Sequence, residues 1–194
     1  MQHDLNHIAN CCGVVFTRTA SGLVHQATAW SVGPGEWVTA WPGDEPEEPV
    51  TGLSLMLARD GSVHPLTGWE YDGAMVGLSG PDIGATLPVH DDGAVLHKRD
   101  RLFAMGYPDM IDHPSIRLAR RALTPELYFP YFCPWSIQGH LCLFTSQDGY
   151  LTGRFYNGMS GGPVLSEDGK VVGVLLGGDA SPDHPALTRF RRLA

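Results

Sequence analysis

Residues 158–176 read Gly158-Met159-Ser160-Gly161-Gly162-Pro163, then Val164-Leu165, a Ser166-Glu167-Asp168-Gly169-Lys170 turn, and the apolar run Val171-Val172-Gly173-Val174-Leu175-Leu176. This stretch decides the reading of the chain. Glycines on both sides of Ser160 let the backbone bend sharply. The hydroxyl then stands clear of the main chain, and neighbouring N–H groups can converge on a developing oxyanion. Pro163 and the Glu167-Asp168-Gly169 turn favour strands on both sides of that turn, joined as a hairpin.

Working outward, 24 glycines and 15 prolines punctuate short runs rich in Val, Leu, Trp and Tyr, the pattern of many short strands rather than long helices. Strands are expected over Gly13–Thr19, Val24–Val32, Trp37–Ala40, Leu53–Ala58, Ser62–Leu66, Ala74–Leu78, Arg101–Gly106, Ile137–Phe144, Gly162–Leu165 and Val171–Leu176. Turn signals at Ala20-Ser21-Gly22, Gly33-Pro34-Gly35 and Arg59-Asp60-Gly61 suit antiparallel hairpins in sandwiches or barrels. Short helices are expected only over residues 2–11 and Pro114–Ala122. The stretch Asp44-Glu45-Pro46-Glu47-Glu48-Pro49 reads as an exposed acidic loop, and a weak boundary near residues 80–100 divides the chain into comparable halves.

The 194 residues suffice for one large domain or two small packed halves. With 43% hydrophobic and 18% charged residues the chain is globular, and a net charge of −8 argues against nucleic acid or an anionic membrane as main partner. Arg189, Arg191 and Arg192 form the one basic cluster and read as a solvated tail. No apolar run approaches the roughly 20 residues of a membrane span, and residues 1–7 lack the features of a signal peptide, so a cytoplasmic protein is expected. Cys11, Cys12, Cys133 and Cys142 make no disulfide framework and are expected as reduced thiols.

From residue 13 to 178 the chain resembles the trypsin-like serine proteases in their broad bacterial form. Ala29-Trp30-Ser31-Val32-Gly33-Pro34-Gly35-Glu36-Trp37-Val38-Thr39-Ala40-Trp41-Pro42 follows that family's strand, turn and Thr-Ala. Tyr71-Asp72-Gly73-Ala74-Met75-Val76-Gly77-Leu78 matches its aspartate-led strand, and Leu102-Phe103-Ala104-Met105-Gly106-Tyr107-Pro108 the strand that begins its second barrel. The resemblance implies an all-β chain: two six-stranded antiparallel barrels of the chymotrypsin type, about 13–90 and 95–180, forming one protease domain. It implies Ser160 as nucleophile, Asp72 as the acid of the triad, and an oxyanion hole from the amides of Gly158 and Ser160. It also places Arg154 at the base of the primary specificity pocket, where it would favour acidic side chains; the plainer reading is a surface arginine. Met159 stands where secreted trypsins keep the aspartate that receives a freed N-terminus, so activation by N-terminal cleavage is not expected. Leu176 lies where active members run a strand beside the aspartate and the substrate.

One departure matters most. The family's histidine position holds Pro42, preceded by Trp41. Proline has no side chain to take a proton, and an unassisted serine needs a base within about 3 Å. His25, His64, His90, His97, His113, His140 and His184 are candidates for a relocated base, and none occupies a family position. His3, His7 and Cys11 recur at helical spacing and could share a face, but no fourth ligand is evident, so no metal and no cofactor is expected. The nucleophile elbow of α/β-hydrolases is rejected, because it must open a helix and only 34 residues follow Ser160.

Two functions follow. The first is an inactive protease-like module that binds an extended peptide or protein segment in the cleft between the barrels by adding it to a strand edge. The second is a working serine endopeptidase or esterase with a relocated histidine. A purely structural domain has no specific sign in the sequence. The ligand's identity and the oligomeric state are not legible.

Overall fold

The computed structural model describes residues 4–20, 22–41, 52–90, 95–109, 133–179 and 186–193. The chain enters through α1 (Leu5–Asn10), whose N-cap Asp4 accepts from the amides of Asn6 and His7 at 3.1 and 3.0 Å. Six residues are too few for a helix to hold itself in water. Ile8 anchors this one in a core that also takes Trp30 from one sheet and Phe103, Met105 and Val174 from the other.

The first sheet contains β1 (Cys12–Thr19), β2 (Gly22–Gly33), β3 (Glu36–Ala40), β4 (Leu53–Leu57), β5 (Val63–Pro65), β6 (Thr67–Asp72) and β7 (Met75–Ser79). All pairs are antiparallel, in the order β5-β4-β1-β2-β3-β7-β6. Its two edges are β5 and β6, which are separated only by Leu66, whose amide donates to Leu53 O at 3.0 Å. A register shift between Thr67 and Glu70, with Gly68 at φ +76°, bends the chain there. Taken as one bent strand, residues 63–72 nearly close a six-stranded barrel around Val15, Trp37, Leu55, Val76 and Leu78.

The second sheet is a closed barrel, β10-β13-β12-β11-β8-β9, built from β8 (Arg101–Gly106), β9 (Trp135–Phe144), β10 (Asp148–Thr152), β11 (Pro163–Leu165), β12 (Val171–Asp179) and β13 (Leu187–Arg192). The two-barrel chymotrypsin fold expected from the sequence is the fold observed. Strands β6, β10 and β13 were not foreseen. The basic cluster is not a solvated tail: it belongs to β13, where Thr188 and Phe190 point into the barrel and are fully buried while arginines alternate with them. Gly149 and Gly173 carry no side chain because the Phe190 ring occupies that space. The helix expected at Pro114–Ala122 and the acidic loop at 44–49 lie outside the described residues.

Cys11 and Cys12 are sealed in the shared core, whereas Cys133 is exposed and Cys142 half-buried; all four are free. Burial pushes the Cys11 thiol up to about 11; burial, and then its neighbour Cys11, also hold the Cys12 thiol well above its ordinary value. Since folding favours these protonated thiols, the stability they carry is complete below the unfolded thiol value near 8.5 and fades as pH rises through about 11. A disulfide-exchange reagent at pH 8 is expected to titrate two thiols in the folded protein and all four after unfolding. Four reactive thiols in the native state would contradict the placement of α1 and β1.

Candidate functional site

The serine turn is shaped by two glycines in the left-handed region, Gly158 (φ +92°) and Gly161 (φ +87°). It is closed locally by Met159 N donating to Tyr156 O (3.1 Å) and Gly162 N to Met159 O (3.0 Å). It is tied to β12 by Gly161 N donating to Leu175 O (2.7 Å) and Leu175 N to Gly162 O (2.8 Å). Met159, where a buried carboxylate would need a cation, is instead wholly buried among apolar side chains of the second barrel.

The first barrel holds the other side of the turn through a residue the sequence reading did not single out. Thr28, fully buried in β2, donates its amide to Ser160 O (2.7 Å) and its hydroxyl to Gly158 O (3.0 Å). The same hydroxyl accepts from Tyr107 N (2.9 Å), and Thr28 O accepts from the Thr39 hydroxyl (2.7 Å). Every polar group of Thr28 is therefore used at the barrel boundary. Thr28 and Thr39 are the only hydroxyl-bearing positions in Ala27-Thr28-Ala29 and Val38-Thr39-Ala40, which was the one available signal.

Ser160 Oγ donates to the carbonyl of Leu176 at 3.0 Å. Leu176 sits at a bulge of β12, where the register against β13 shifts between Leu175 and Gly177. Among the described residues, the amides of Gly158 and Ser160 donate to no protein acceptor. Asp72 ends β6 and pairs with Met75, Met75 pairs with Ala40, and Trp41 N donates to Ala74 O at 3.2 Å. The backbones of Thr39–Trp41, of the 72–75 hairpin and of the serine turn thus meet on one side of the molecule. The Asp72 side chain and Pro42 lie outside the described residues, and the half-buried Trp41 packs against the first barrel's core.

The described imidazoles make no hydrogen bond to the serine, and His90 Nδ1 is buried without a partner among the described residues. His64 Nε2 lies 3.0 Å from Ser62 Oγ, His97 Nδ1 3.8 Å from the Asp100 carboxylate, and His140 Nδ1 3.2 Å from Arg99 O. His90 stands beside the Val89–Val171 bridge, its amide donating to Val171 O. None of these four bonds Ser160. His3, His113, His184 and the His25 side chain lie outside the described residues. His7 Nε2 comes within 3.9 Å of Cys11 Sγ, and no group of three or more metal-ligating side chains occurs among the described residues. Arg154 is exposed, with its guanidinium 5.2 Å from the Tyr156 ring centroid; Tyr156 in turn meets Trp135 edge-on at 5.0 Å.

Two antiparallel barrels with a glycine-framed serine turn at their boundary define the chymotrypsin-type serine protease class. The chain belongs to the trypsin-like peptidase domain family, whose profile matches residues 11–174. Solved structures share the fold at low identity. A Glu endopeptidase in complex with MPD matches with a TM-score of 0.62 and 11% identity, over 99% of this chain and 89% of that one. The Rv3671c protease of M. tuberculosis in its active form gives 0.66 and 12%, over 95% and 77%. A thermostable serine protease, AL20, from an extremophilic microorganism gives 0.64 and 12%, over 96% and 92%. No curated protein matches the sequence. No helix among the described residues is long and apolar enough to cross a membrane.

Proposed function

We propose that this chain is a trypsin-like peptidase domain that binds an extended peptide segment beside the serine turn without hydrolysing it. The observation that carries the reading is the Ser160 hydroxyl, which donates to the Leu176 carbonyl where an active nucleophile would donate to a base. Pro42 at the family's histidine position agrees with it. A carbonyl cannot take the proton, so the hydroxyl has no route to an alkoxide near neutral pH. In this reading Gly158 and Ser160 offer their amides to a peptide carbonyl, and the half-buried Trp41 takes up space that an imidazole would otherwise use. Arg154 supplies a cation near the bound segment, so peptides carrying an acidic side chain are the first to test. The Glu endopeptidase among the structural neighbours makes the same class worth testing.

A relocated base is the second reading, and the amides of Gly158 and Ser160, without an acceptor among the described residues, favour it, since an open oxyanion pocket is what acyl transfer requires. Ser160 would then attack, with a histidine outside the described set moving the proton. The two readings separate on peptide binding. Under the first, a glutamate-bearing peptide binds equally well to the native protein and to Ser160→Ala, is recovered intact, and binds at least 5-fold more weakly to Arg154→Gln. Cleavage of that peptide, abolished by Ser160→Ala, would overturn the first reading in favour of the second.

A further inference from the structure

A separate cleft of about 890 Å³ opens between the β6–β7 hairpin of the first barrel and β13 with the 145–147 turn of the second; none of residues 158–161 lines it. Its floor is apolar, formed by Trp30, Val38 and Met75 on the outer side of the core that joins the barrels. The volume lies within the range of small-molecule sites. Its second-barrel wall is cationic, which is unexpected in a chain of net charge −8.

The charge there is not fully compensated. Arg191 Nε lies 2.8 Å from Asp148 Oδ1, while Arg189 takes Oδ2 of the same carboxylate at 2.6 and 3.0 Å. One carboxylate therefore serves two guanidinium groups. The Arg191 approach is an ion contact without hydrogen-bond geometry, and the outer nitrogens of Arg191, Nη1 and Nη2, have no protein partner among the described residues. Arg191 lines the cleft and reaches the opposite hairpin: its Nη1 is 3.9 Å from where a Cβ on Gly73 would stand. The half-buried side chain is thus in ion contact with Asp148 at one end and carries a pair of donors at the other, the group that receives a carboxylate bidentately. Arg192 lies on the same wall, its Nη1 donating to Thr145 O, and the exposed Glu70 lines the facing hairpin.

We propose that this cleft is a binding site for a small amphipathic monocarboxylate, an aliphatic or aromatic acid whose carboxylate pairs with Arg191 and whose body lies over Trp30, Val38 and Met75. The apolar floor rewards a hydrocarbon body, and the guanidinium of Arg191 selects an anionic head over a neutral one. Glu70 sets a limit on charge: its carboxylate opposes a dianion while leaving room for a single carboxylate on the Arg191 side. The site stands independently of any reading of Ser160.

The test uses the whole chain with octanoate as probe and octanol as its uncharged counterpart, by calorimetry and by backbone hydrogen exchange. Octanoate is expected to bind with a Kd of about 0.1–1 mM, the range for a ligand of this size. It should slow exchange in residues 70–77 and 189–193. Arg191→Gln is expected to weaken it at least 10-fold. Glu70→Gln, at an exposed position, is expected to tighten it about 2-fold by removing the opposing charge, which a merely structural role for Glu70 would not do. Equal affinity for octanol, no response to either substitution, protection elsewhere in the chain, or no binding at 10-fold above the expected range, about 10 mM, would each overturn the proposal.

Discussion

Gly161→Ala is expected to cost about 4 kcal/mol or more, a large share of the roughly 5–15 kcal/mol that holds a domain folded. Two effects add. At φ +87° an L-residue is strained by about 1–2 kcal/mol. The larger effect is steric, because an added Cβ would collide with Thr28 O and Thr39 Oγ1 and come within 2.7 Å of Ala40 N. All three atoms belong to the first barrel and two are backbone, so turning the Thr39 hydroxyl aside would not make room. The methyl group would wedge the barrels apart at the one turn where the candidate site is assembled. Gly169→Ala is the control, since it has a similar φ of +83° with open space around it, and only the conformational cost of about 1–2 kcal/mol is expected. Urea denaturation of both variants reads the difference; equal losses would contradict the close approach of the serine turn to β2 and β3.

Thr28→Val is expected to cost about 2–4 kcal/mol while preserving the shape of the side chain. It removes one hydroxyl but strands two groups, the Gly158 carbonyl and the Tyr107 amide, each left unpaired at a cost of about 1–3 kcal/mol. The effect should also be local to the site. Without its hydroxyl anchor the Gly158 peptide is free to rotate, so hydrogen exchange at residues 157–161 is expected to accelerate and peptide binding to weaken. Thr28→Ser keeps the hydroxyl and should restore the slow exchange, though not all of the stability. A valine variant with native exchange in the serine turn would mean that Thr28 does not position it.

These two residues mark what a single sequence reveals and what it hides. The serine turn was legible because its glycines, its proline and the following hairpin are local signals that constrain one another. The order of the Thr39-Ala40 strand end, Asp72 and Ser160 then fixed the two-barrel fold. Thr28 was not legible, because its partners lie 130 and 79 residues away and nothing in Ala27-Thr28-Ala29 announces them. Strand β6 was hidden by Gly68, which bends the chain that nearly closes the first barrel. Strand β10 begins Asp148-Gly149, which reads as a turn until Phe190 is known to need the space above the glycine. The arginines of β13 suggested a free tail, since the inward period of Thr188 and Phe190 is short and the carboxylate that receives Arg189 and Arg191 comes from a distant strand. At the candidate site the family resemblance set Pro42 at the histidine position, but the hydroxyl's bond to Leu176 depends on a bulge that only the folded barrel creates.

The central claim is that Ser160 is not activated, and labelling by a broad fluorophosphonate probe tests it most directly, with Ser160→Ala as the control. The native protein, shown by circular dichroism to be folded, is expected to remain unlabelled at pH 7.5, within error of the alanine variant, over a time in which an active trypsin-like enzyme reacts to completion. Stoichiometric labelling that disappears in Ser160→Ala would contradict the account and require a base within hydrogen-bonding reach of the serine.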